Sequence, residues 1–383
     1  MHLVRYFTFL IFCLLSILAS CIKINLERRE IITFTKPLPS SEILGPHQFV
    51  PLYINQNDQY WIGGVDEKDQ SLISIYSSEG DLINQVIGTS PGEITAIQPS
   101  LGTDEVFLVV ATTGSDSYLA EINPAGQRLR LDSLRQVINA EIGLVEEVEI
   151  TDLASTFDKD GWIVTGRLKQ SLGEPRLLIG KLTEALELEW IRTYQENYTG
   201  RGLGILENGE IAILAFNTTN KQAVGLFDDQ GIIKWFRSLP NTITSPHSNL
   251  AIAGDTIWTI GSRPMFSAAD ALVIAYDLNG NVLLERTYGL PAIEESGAGI
   301  ALIRNGGLLI FYSENSTYHL ACTDIGTGLV KWSSTFEGMN VIRPLNCSQV
   351  SDFGILGLGF EMAASGEKSY RLIKTDEVGK IRE

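Results

Sequence analysis

The sequence is poor in the side chains from which most catalytic and metal sites are built. Its 383 residues include only four cysteines and four histidines, and no two cysteines have the Cys-x-x-Cys spacing of a zinc or redox site. The histidines beyond residue 20 are His47, His247 and His319, and none lies in a nucleophile or metal motif. The sequence therefore carries no catalytic motif that would identify an enzyme class.

Positive charge is also scarce. The chain has 29 Lys and Arg against 46 Asp and Glu, which gives a formal net charge of −17. No cluster of Lys or Arg opposes this trend, so the surface should repel the phosphates of nucleic acids and of anionic lipids. Nucleic acid is excluded as a partner, and we expect proteins, glycans, cations or neutral small molecules instead.

One long apolar run is present, and it lies at the N-terminus. Arg5 precedes the run Tyr6–Ile17, which is too short to span a membrane comfortably. The run ends in Leu-Ala-Ser-Cys at positions 18–21, which resembles the lipobox of bacterial lipoproteins. That resemblance implies that residues 1–20 are a signal peptide and that Cys21 becomes a lipidated N-terminus. The alternative is an ordinary secretory signal in which Cys21 falls by chance.

The lipobox resemblance also implies a location. A lipid on Cys21 would attach the protein to a membrane of the bacterial envelope, with residues 21–29 as a linker. No Asp follows Cys21, which by resemblance to the enterobacterial sorting rule favours the outer membrane over the inner one. Removal of Arg5 with the signal would make the net charge one unit more negative.

What the chain has in abundance is a repeated unit of about fifty residues. Each copy is an apolar run, a turn that ends in Gly, and an amphipathic run with an aromatic residue near its end. The seven turn positions lie 46 to 59 residues apart: Gly80, Gly126, Ala185, Gly231, Gly280, Gly328 and Gly379. Short strands at this period are typical of a β-propeller, so we predict an all-β fold with seven four-stranded blades.

The ends of the chain predict how the ring closes. The last repeat stops at Glu383 before its outer strand is complete, whereas Glu30–Thr35 has the alternation of an outer strand. We expect this N-terminal strand to complete the seventh blade, which would make residues 30–383 a single propeller domain. The alternative is that both termini fray.

One repeat is about ten residues longer than its neighbours, and the excess falls at Asp132–Glu149. Its apolar residues recur at helical spacing, and Asp132 and Ser133 can cap a helix. These apolar residues are Leu134, Val137, Ile138, Ile142 and Val145. We expect a short helix or folded loop that is either a lid over its own blade or an element that binds a partner.

One segment resembles a known repeat. The stretch Cys322–Trp332 is similar to the quinoprotein-like propeller repeat, Ala-x-Asp-x-x-Thr-Gly-x-x-x-Trp, and departs from it only at Cys322. Members of that family either bind a quinone cofactor with calcium or serve as scaffolds without a cofactor. None of the cofactor or calcium residues can be matched in this chain, so no cofactor is expected. Trp190, Trp235 and Trp332 are interpreted as packing between blades.

The two remaining cysteines are predicted to be buried free thiols. Cys322 and Cys347 lie in strands of different repeats, which favours separate thiols over a disulfide.

The candidate site follows from the fold, because propellers bind ligands at the channel mouth with the loops that enter the inner strands. Those loops contain Glu93, Tyr198, Arg201, His247, Glu295 and Arg343. The two arginines would grip a carboxylate or neutralise neighbouring acids.

The leading hypothesis is a non-catalytic envelope lipoprotein that binds a protein or a glycan. Whether the chain is an enzyme is left open by the sequence. One alternative is a sugar lyase, glycosidase or lactonase with carboxylates and His247 at the mouth; another is a quinone-dependent dehydrogenase. A cluster of groups with shifted pKa values in the channel would favour an enzyme.

Overall fold

The computed structural model describes residues 32–38, 50–65, 70–101, 107–123, 125, 127–171, 173–243, 249–264, 269–289, 295–338, 341–366 and 368–381. Within these ranges the chain forms seven antiparallel four-stranded units arranged as the blades of a propeller, and the predicted number of blades is confirmed. One backbone pairing between Ile243 and Ser262 joins blades 4 and 5 into a single eight-stranded sheet.

The strands follow one another from the channel outwards in each blade. Blade 1 contains β2 (Leu52–Ile54), β3 (Tyr60–Val65), β4 (Gln70–Tyr76) and β5 (Leu82–Pro91). Blade 2 contains β6 (Glu93–Pro99), β7 (Phe107–Thr113), β8 (Asp116–Ile122) and β9 (Arg128–Ser133). Blade 3 contains β10 (Val145–Ser155), β11 (Gly161–Gln170), β12 (Arg176–Thr183) and β13 (Leu188–Glu196).

The same order continues around the ring. Blade 4 contains β14 (Tyr198–Ile205), β15 (Ile211–Asn217), β16 (Lys221–Phe227) and β17 (Ile233–Ile243). Blade 5 contains β18 (Leu250–Ala253), β19 (Thr256–Pro264), β20 (Ala269–Tyr276) and β21 (Val282–Tyr288). Blade 6 contains β22 (Glu295–Ile303), β23 (Gly307–Glu314), β24 (Thr317–Asp324) and β25 (Val330–Glu337). Blade 7 contains β26 (Val341–Gln349), β27 (Ile355–Met362), β28 (Lys368–Thr375) and the N-terminal β1 (Phe34–Leu38).

The ring closes as predicted, because β1 pairs antiparallel with β28 along its whole length. The strand begins at Phe34, later than the predicted Glu30, and residues 30 and 31 lie outside the described residues. Blades 7 and 1 are then joined by buried polar contacts. Lys374 Nζ of blade 7 lies 3.5 Å from the Ser78 carbonyl of blade 1 and 2.8 Å from the Asp352 carboxylate of its own blade. Asp58 of blade 1 accepts a hydrogen bond from the backbone N–H of Ser351 in blade 7. Because β1 pairs with β28, blade 7 has its fourth strand and the ring is closed.

The outer strands seal the seams between neighbouring blades. The rings of Trp190, Trp235 and Trp332 each lie against a turn glycine of the next blade, and a Cβ at Gly231 would come within 2.6 Å of the Trp190 ring. Gly231 also has a φ of 72°, so the turn itself requires glycine. The interpretation of these tryptophans as packing between blades is confirmed.

A single helix, α1 (Leu134–Ile142), occupies the long repeat between β9 and β10. Ser133 caps it, because its Oγ accepts a hydrogen bond from the Gln136 N–H. Asp132 does not cap the helix, since its carboxylate pairs with Arg130 instead.

The state of the two cysteines in the described residues was predicted correctly from the sequence. Cys322 and Cys347 are both free and buried, as predicted. In the part of the chain that the structure describes, no helix is long and apolar enough to cross a membrane.

Candidate functional site

The two rims of the ring are built from different connections. The inner strands begin at the rim where the second and third strands of each blade are connected, and we call this the mouth rim. The first and second strands, and the third and fourth, are connected at the opposite rim, which we call the turn rim.

Five inner strands carry a β-bulge at the same register, centred on Thr95, Thr151, Arg201, Ala298 and Leu345. Two of these residues tie neighbouring blades together. Thr95 Oγ1 donates to the Ile150 carbonyl at 2.8 Å, and Thr151 Oγ1 donates to the Gly200 carbonyl at 2.6 Å. A bulge of this kind changes the direction of a single side chain. Here the five bulges lie at the same height in the channel wall, and we call this height the bulge level.

The channel below this level encloses a cavity of about 250 Å³. The described residues that line it come from six blades, and only Asp152 and Arg201 among them are ionisable. Asp152 accepts hydrogen bonds from the backbone N–H groups of Leu153 and Leu203, each at 2.8 Å, and so joins blades 3 and 4.

The Asp152 carboxyl lies deep within the ring, although its side chain still contacts the channel space. Burial raises its pKa to about 7, against the lowering effect of the two backbone hydrogen bonds. This carboxyl can therefore hold or release a proton near neutral pH.

Arg201 is the charged residue of the bulge level. Its side chain is 8% exposed, and the guanidinium carbon lies 4.5 Å from the centroid of the Phe216 ring. Burial lowers the pKa of Arg201 to about 10, opposed by the nearby carboxylates of Glu149 and Glu93, so it remains a cation at neutral pH. The Arg201 guanidinium, the Phe216 ring and the carboxylates of Glu93 and Glu149 together form one wall of the channel, where blades 2, 3 and 4 meet.

A larger cleft of about 440 Å³ opens at the mouth rim above this wall. Its lining is polar apart from one aromatic ring, and it consists of Glu93, Thr95, Thr112, Gly114, Glu149, Arg167, Thr199, Phe216, Asn217, Thr218 and Asn220. Arg167 lies between Glu147 and Glu149 and pairs with both, at 2.5 Å from each. We call this cleft the mouth cleft.

The predicted mouth residues divide into several groups. Glu93 lines the mouth cleft and Arg201 lines the channel beneath it, so both belong to the candidate site. Arg343 is exposed on β26 of blade 7 at the register of Glu93, and it does not line the mouth cleft. His247 and the side chain of Glu295 lie outside the described residues.

Tyr198 starts its inner strand as expected but turns away from the channel. Its ring packs edge to face on Phe236 at 5.3 Å, and its hydroxyl lies 3.0 Å from Ser238 Oγ on the outer strand. This tyrosine stabilises blade 4 and is not a mouth residue.

The apolar residues of the long repeat are mostly hidden as well. Leu134, Ile138 and Val145 are buried in the core of blades 2 and 3, and Val137 is half-buried. Ile142 is 37% exposed, beside the 85% exposed Leu144. The helix therefore fills the top of its own seam, as a lid would, and leaves only Ile142 and Leu144 for contact with a partner.

Sequence reasoning missed Asp152, Glu149, Arg167, Phe216 and Asn217. Glu149 and Glu93 share one register, two residues before the bulge, and an alignment of the inner strands on their small residues would have revealed it. In the described part of the chain, no three His, Cys, Asp or Glu side chains are grouped closely enough to hold a metal ion.

Comparison with known proteins supports the fold. No protein-family model matches the sequence, and a search of curated proteins gives no match either. Many solved structures match the chain. One is the Pan2 WD40 domain of Neurospora crassa, at 14% identity and a TM-score of 0.57, covering 86% of this chain and 89% of that one.

Two further solved structures that match come from other organisms. The WD40 domain of Toxoplasma gondii coronin is 8% identical with a TM-score of 0.55, covering 91% of this chain and 87% of that one. A candidate 6-phosphogluconolactonase of Bacteroides fragilis is 12% identical with a TM-score of 0.51, covering 76% of this chain and 84% of that one. The protein is a seven-bladed β-propeller. At these identities the likeness is one of fold alone.

Proposed function

We propose that the protein is a lipid-anchored binding protein of the bacterial envelope that takes a glycan in its mouth cleft. The observation that carries the proposal is the lining of this cleft, which combines carboxylates, an arginine, an asparagine amide, threonine hydroxyls and the Phe216 ring. Its volume of about 440 Å³ is typical of a small-molecule site.

The chemistry of the lining favours sugars over other ligands. Each sugar hydroxyl is both a donor and an acceptor, and the lining offers both kinds of partner from fixed strands. Arg167 is neutralised by Glu147 and Glu149, so the cleft has no strong positive potential for a phosphate. The high negative charge of the whole protein also favours a neutral ligand.

The anchor is proposed from the sequence. Diacylation of Cys21 would hold the ring at a membrane surface, with the linker of residues 21–29 between them. Replacing Cys21 by Ser should release the protein from the membrane fraction into the soluble fraction. Unchanged membrane fractionation of this variant would refute the lipid anchor and leave the mouth cleft unaffected.

The glycan is tested with an array of bacterial envelope sugars, including peptidoglycan fragments and capsular oligosaccharides. The wild-type protein should bind a discrete set of related sugars. The variant Thr218→Val should lose up to about tenfold in affinity for them, because it removes a hydroxyl of the cleft lining while keeping the shape of the side chain. If no sugar binds, the proposal is wrong.

A second function is favoured by one specific observation. Asp152, with a pKa near 7, could act as a general base in the channel, which keeps an enzyme of the lactonase or glycosidase kind as the alternative. Asp152 is the only carboxyl among the described residues that line the channel, whereas most glycosidases require two. Hydrolysis of lactones or aryl glycosides by the wild type, abolished in Asp152→Asn, would establish the enzyme in place of the binding protein.

A further inference from the structure

The seams between blades are sealed by bulky side chains at two register positions of the outer strands. The first position, next to the outer turn, holds Phe34, Trp190, Trp235, Leu284 and Trp332 in five blades. The second position, four residues further along, holds Leu38, Tyr194, Tyr288 and Phe336. Together these residues fill the space between one sheet and the next.

Blade 1 departs from this pattern at both positions. Asn84 stands at the first position and Gly88 at the second, so the seam towards blade 2 has neither seal. A groove of about 320 Å³ lies there, with a floor of buried apolar side chains that includes Ile73, Val109 and Ala120. It is not part of the mouth cleft or of the channel, with which it shares no lining residue.

The walls of the groove are unusually apolar for a surface. Leu131 on β9 is 39% exposed and faces the groove from one side, and the half-buried Val86 on β5 faces it from the other. Arg128 is exposed at the rim and supplies a positive charge on a strongly acidic protein. Apolar clefts of this kind with a charged rim are typical of sites for partners.

We propose that this groove binds a linear peptide segment of a partner protein through a bulky aromatic side chain next to an acidic residue. The aromatic group would take the place that Tyr288 and Phe336 fill from within the chain in other seams. The neighbouring Asp or Glu would pair with Arg128, and a cation at the rim of an acidic protein selects for that sign. The inference is independent of the glycan proposal, because the two sites share no lining residue and use different chemistry.

The test begins with a library of random linear peptides displayed on phage and selected on the purified full chain. We expect the selected peptides to share an aromatic residue beside Asp or Glu. A synthetic peptide of the most enriched sequence, labelled with fluorescein, then serves as the probe for affinity measurements by fluorescence anisotropy.

Two variants close the groove in different ways. Leu131→Glu places a charge on its wall, and the double variant Ser71→Ala, Gly88→Tyr copies the pair Ala271 and Tyr288 that fills the seam after blade 5. Ser71 must shrink because a Cβ at Gly88 would lie 1.9 Å from its hydroxyl oxygen. The matched control is Leu283→Glu, which charges an outer-strand residue of blade 5 that is 58% exposed.

Both groove variants should lose about tenfold or more in affinity for the probe, while Leu283→Glu keeps it. Equal binding by all variants, or a selection without enrichment, would overturn the proposal. So would displacement of the probe by lauric acid, which would assign the groove to an acyl chain, or a dimer in light scattering that Leu131→Glu dissociates. If the double variant fails to fold, Leu131→Glu decides the matter, because its side chain is 39% exposed and can carry a charge in the folded protein.

Discussion

The two rims of the ring use their polar residues in opposite ways. On the turn rim one device recurs from blade to blade: Asp228, Asp277 and Asp376 each accept the backbone N–H groups two and four residues later. On the mouth rim the register two residues before the bulge varies among the five blades that have the bulge, with Glu in two of them and three other residue types in the rest. It holds Glu93, Glu149, Thr199, Ser296 and Arg343.

The difference separates residues that build the fold from residues available to a ligand. An aspartate that accepts the N–H groups of its own turn is needed there for the backbone conformation, and its repetition reflects that local requirement. Side chains that vary between blades at one register are not required by the structure that the blades share. The mouth rim, and in particular its wall from blades 2, 3 and 4, is therefore the place where selection for binding would act.

The largest effect should come from a seam residue on the turn rim. Trp235→Ala removes a ring that packs on Gly280 and donates a hydrogen bond to the Leu278 carbonyl. We expect a loss of about 3 kcal/mol in the free energy of unfolding, measured by urea denaturation. Ligand affinity at the mouth rim should stay unchanged in the folded variant. A parallel loss of affinity would show that the two rims are not independent.

A smaller loss is expected from a turn aspartate. Asp376 is 2% exposed and accepts two backbone N–H groups, so Asp376→Ala should cost about 1–2 kcal/mol. Asp376→Asn retains an acceptor oxygen and serves as the control, with a loss about half as large or less. If both variants unfold at the same urea concentration as the wild type, the turn hydrogen bonds do not stabilise the ring.

A substitution in the channel should increase the stability of the protein, in contrast to the two above, and its effect should depend on pH. The pKa of Asp152 is raised to about 7 in the folded protein, so its contribution to stability is largest at low pH and is lost as pH rises from about 4 to 7. Asp152→Asn removes this buried charge. At about pH 8 the variant should be more stable than the wild type by about 1 kcal/mol, after the weakening of one backbone hydrogen bond.

Thermal melts of both proteins at a series of pH values provide the measurement. The difference in melting temperature, variant minus wild type, should increase between about pH 5 and pH 8. A difference that stays constant across this range would show that Asp152 keeps an ordinary pKa and that the channel does not hold it in its protonated form.

The architecture could be predicted from sequence because its determinants are local. The turn glycines such as Gly231 and Gly280 are set by backbone conformation, and the apolar runs between them are set by burial on both faces of the sheets. The same holds for the cap of α1 at Ser133. Closure by β1 followed from counting strands, although its start at Phe34 was set by pairing with Lys374, which no local pattern reveals.

The candidate site was harder to predict because it depends on distant pairings. Arg201 was identified as a scarce cation, but its burial follows from a bulge that only the pairing of β14 with β15 produces. Asp152 owes its raised pKa to burial inside the ring, in a place set partly by the backbone of Leu203, which is 51 residues away. Tyr198 was predicted to be a mouth residue. It begins its inner strand as expected, but its ring packs on Phe236 and its hydroxyl lies against Ser238, so its side chain points along the blade.

The central claim is that the mouth cleft, and no other concave surface, binds the glycan. A matched pair of variants tests it. Glu93→Gln removes a charge from the mouth cleft, whereas Glu207→Gln makes the same change in a cleft of about 290 Å³ on the turn rim, between blades 3 and 4. Both substitutions keep the size of the side chain. Glu93→Gln also removes one of the two carboxylates near the buried Arg201, so melting temperatures are measured to show that both variants are folded.

The measurement is isothermal titration of each variant with the sugar that binds the wild type most tightly on the array. The proposal predicts that Glu93→Gln weakens binding by about tenfold, from the loss of a charge-assisted hydrogen bond, and that Glu207→Gln binds as the wild type does. Wild-type affinity in Glu93→Gln together with weakened binding in Glu207→Gln would contradict it and assign the site to the turn rim.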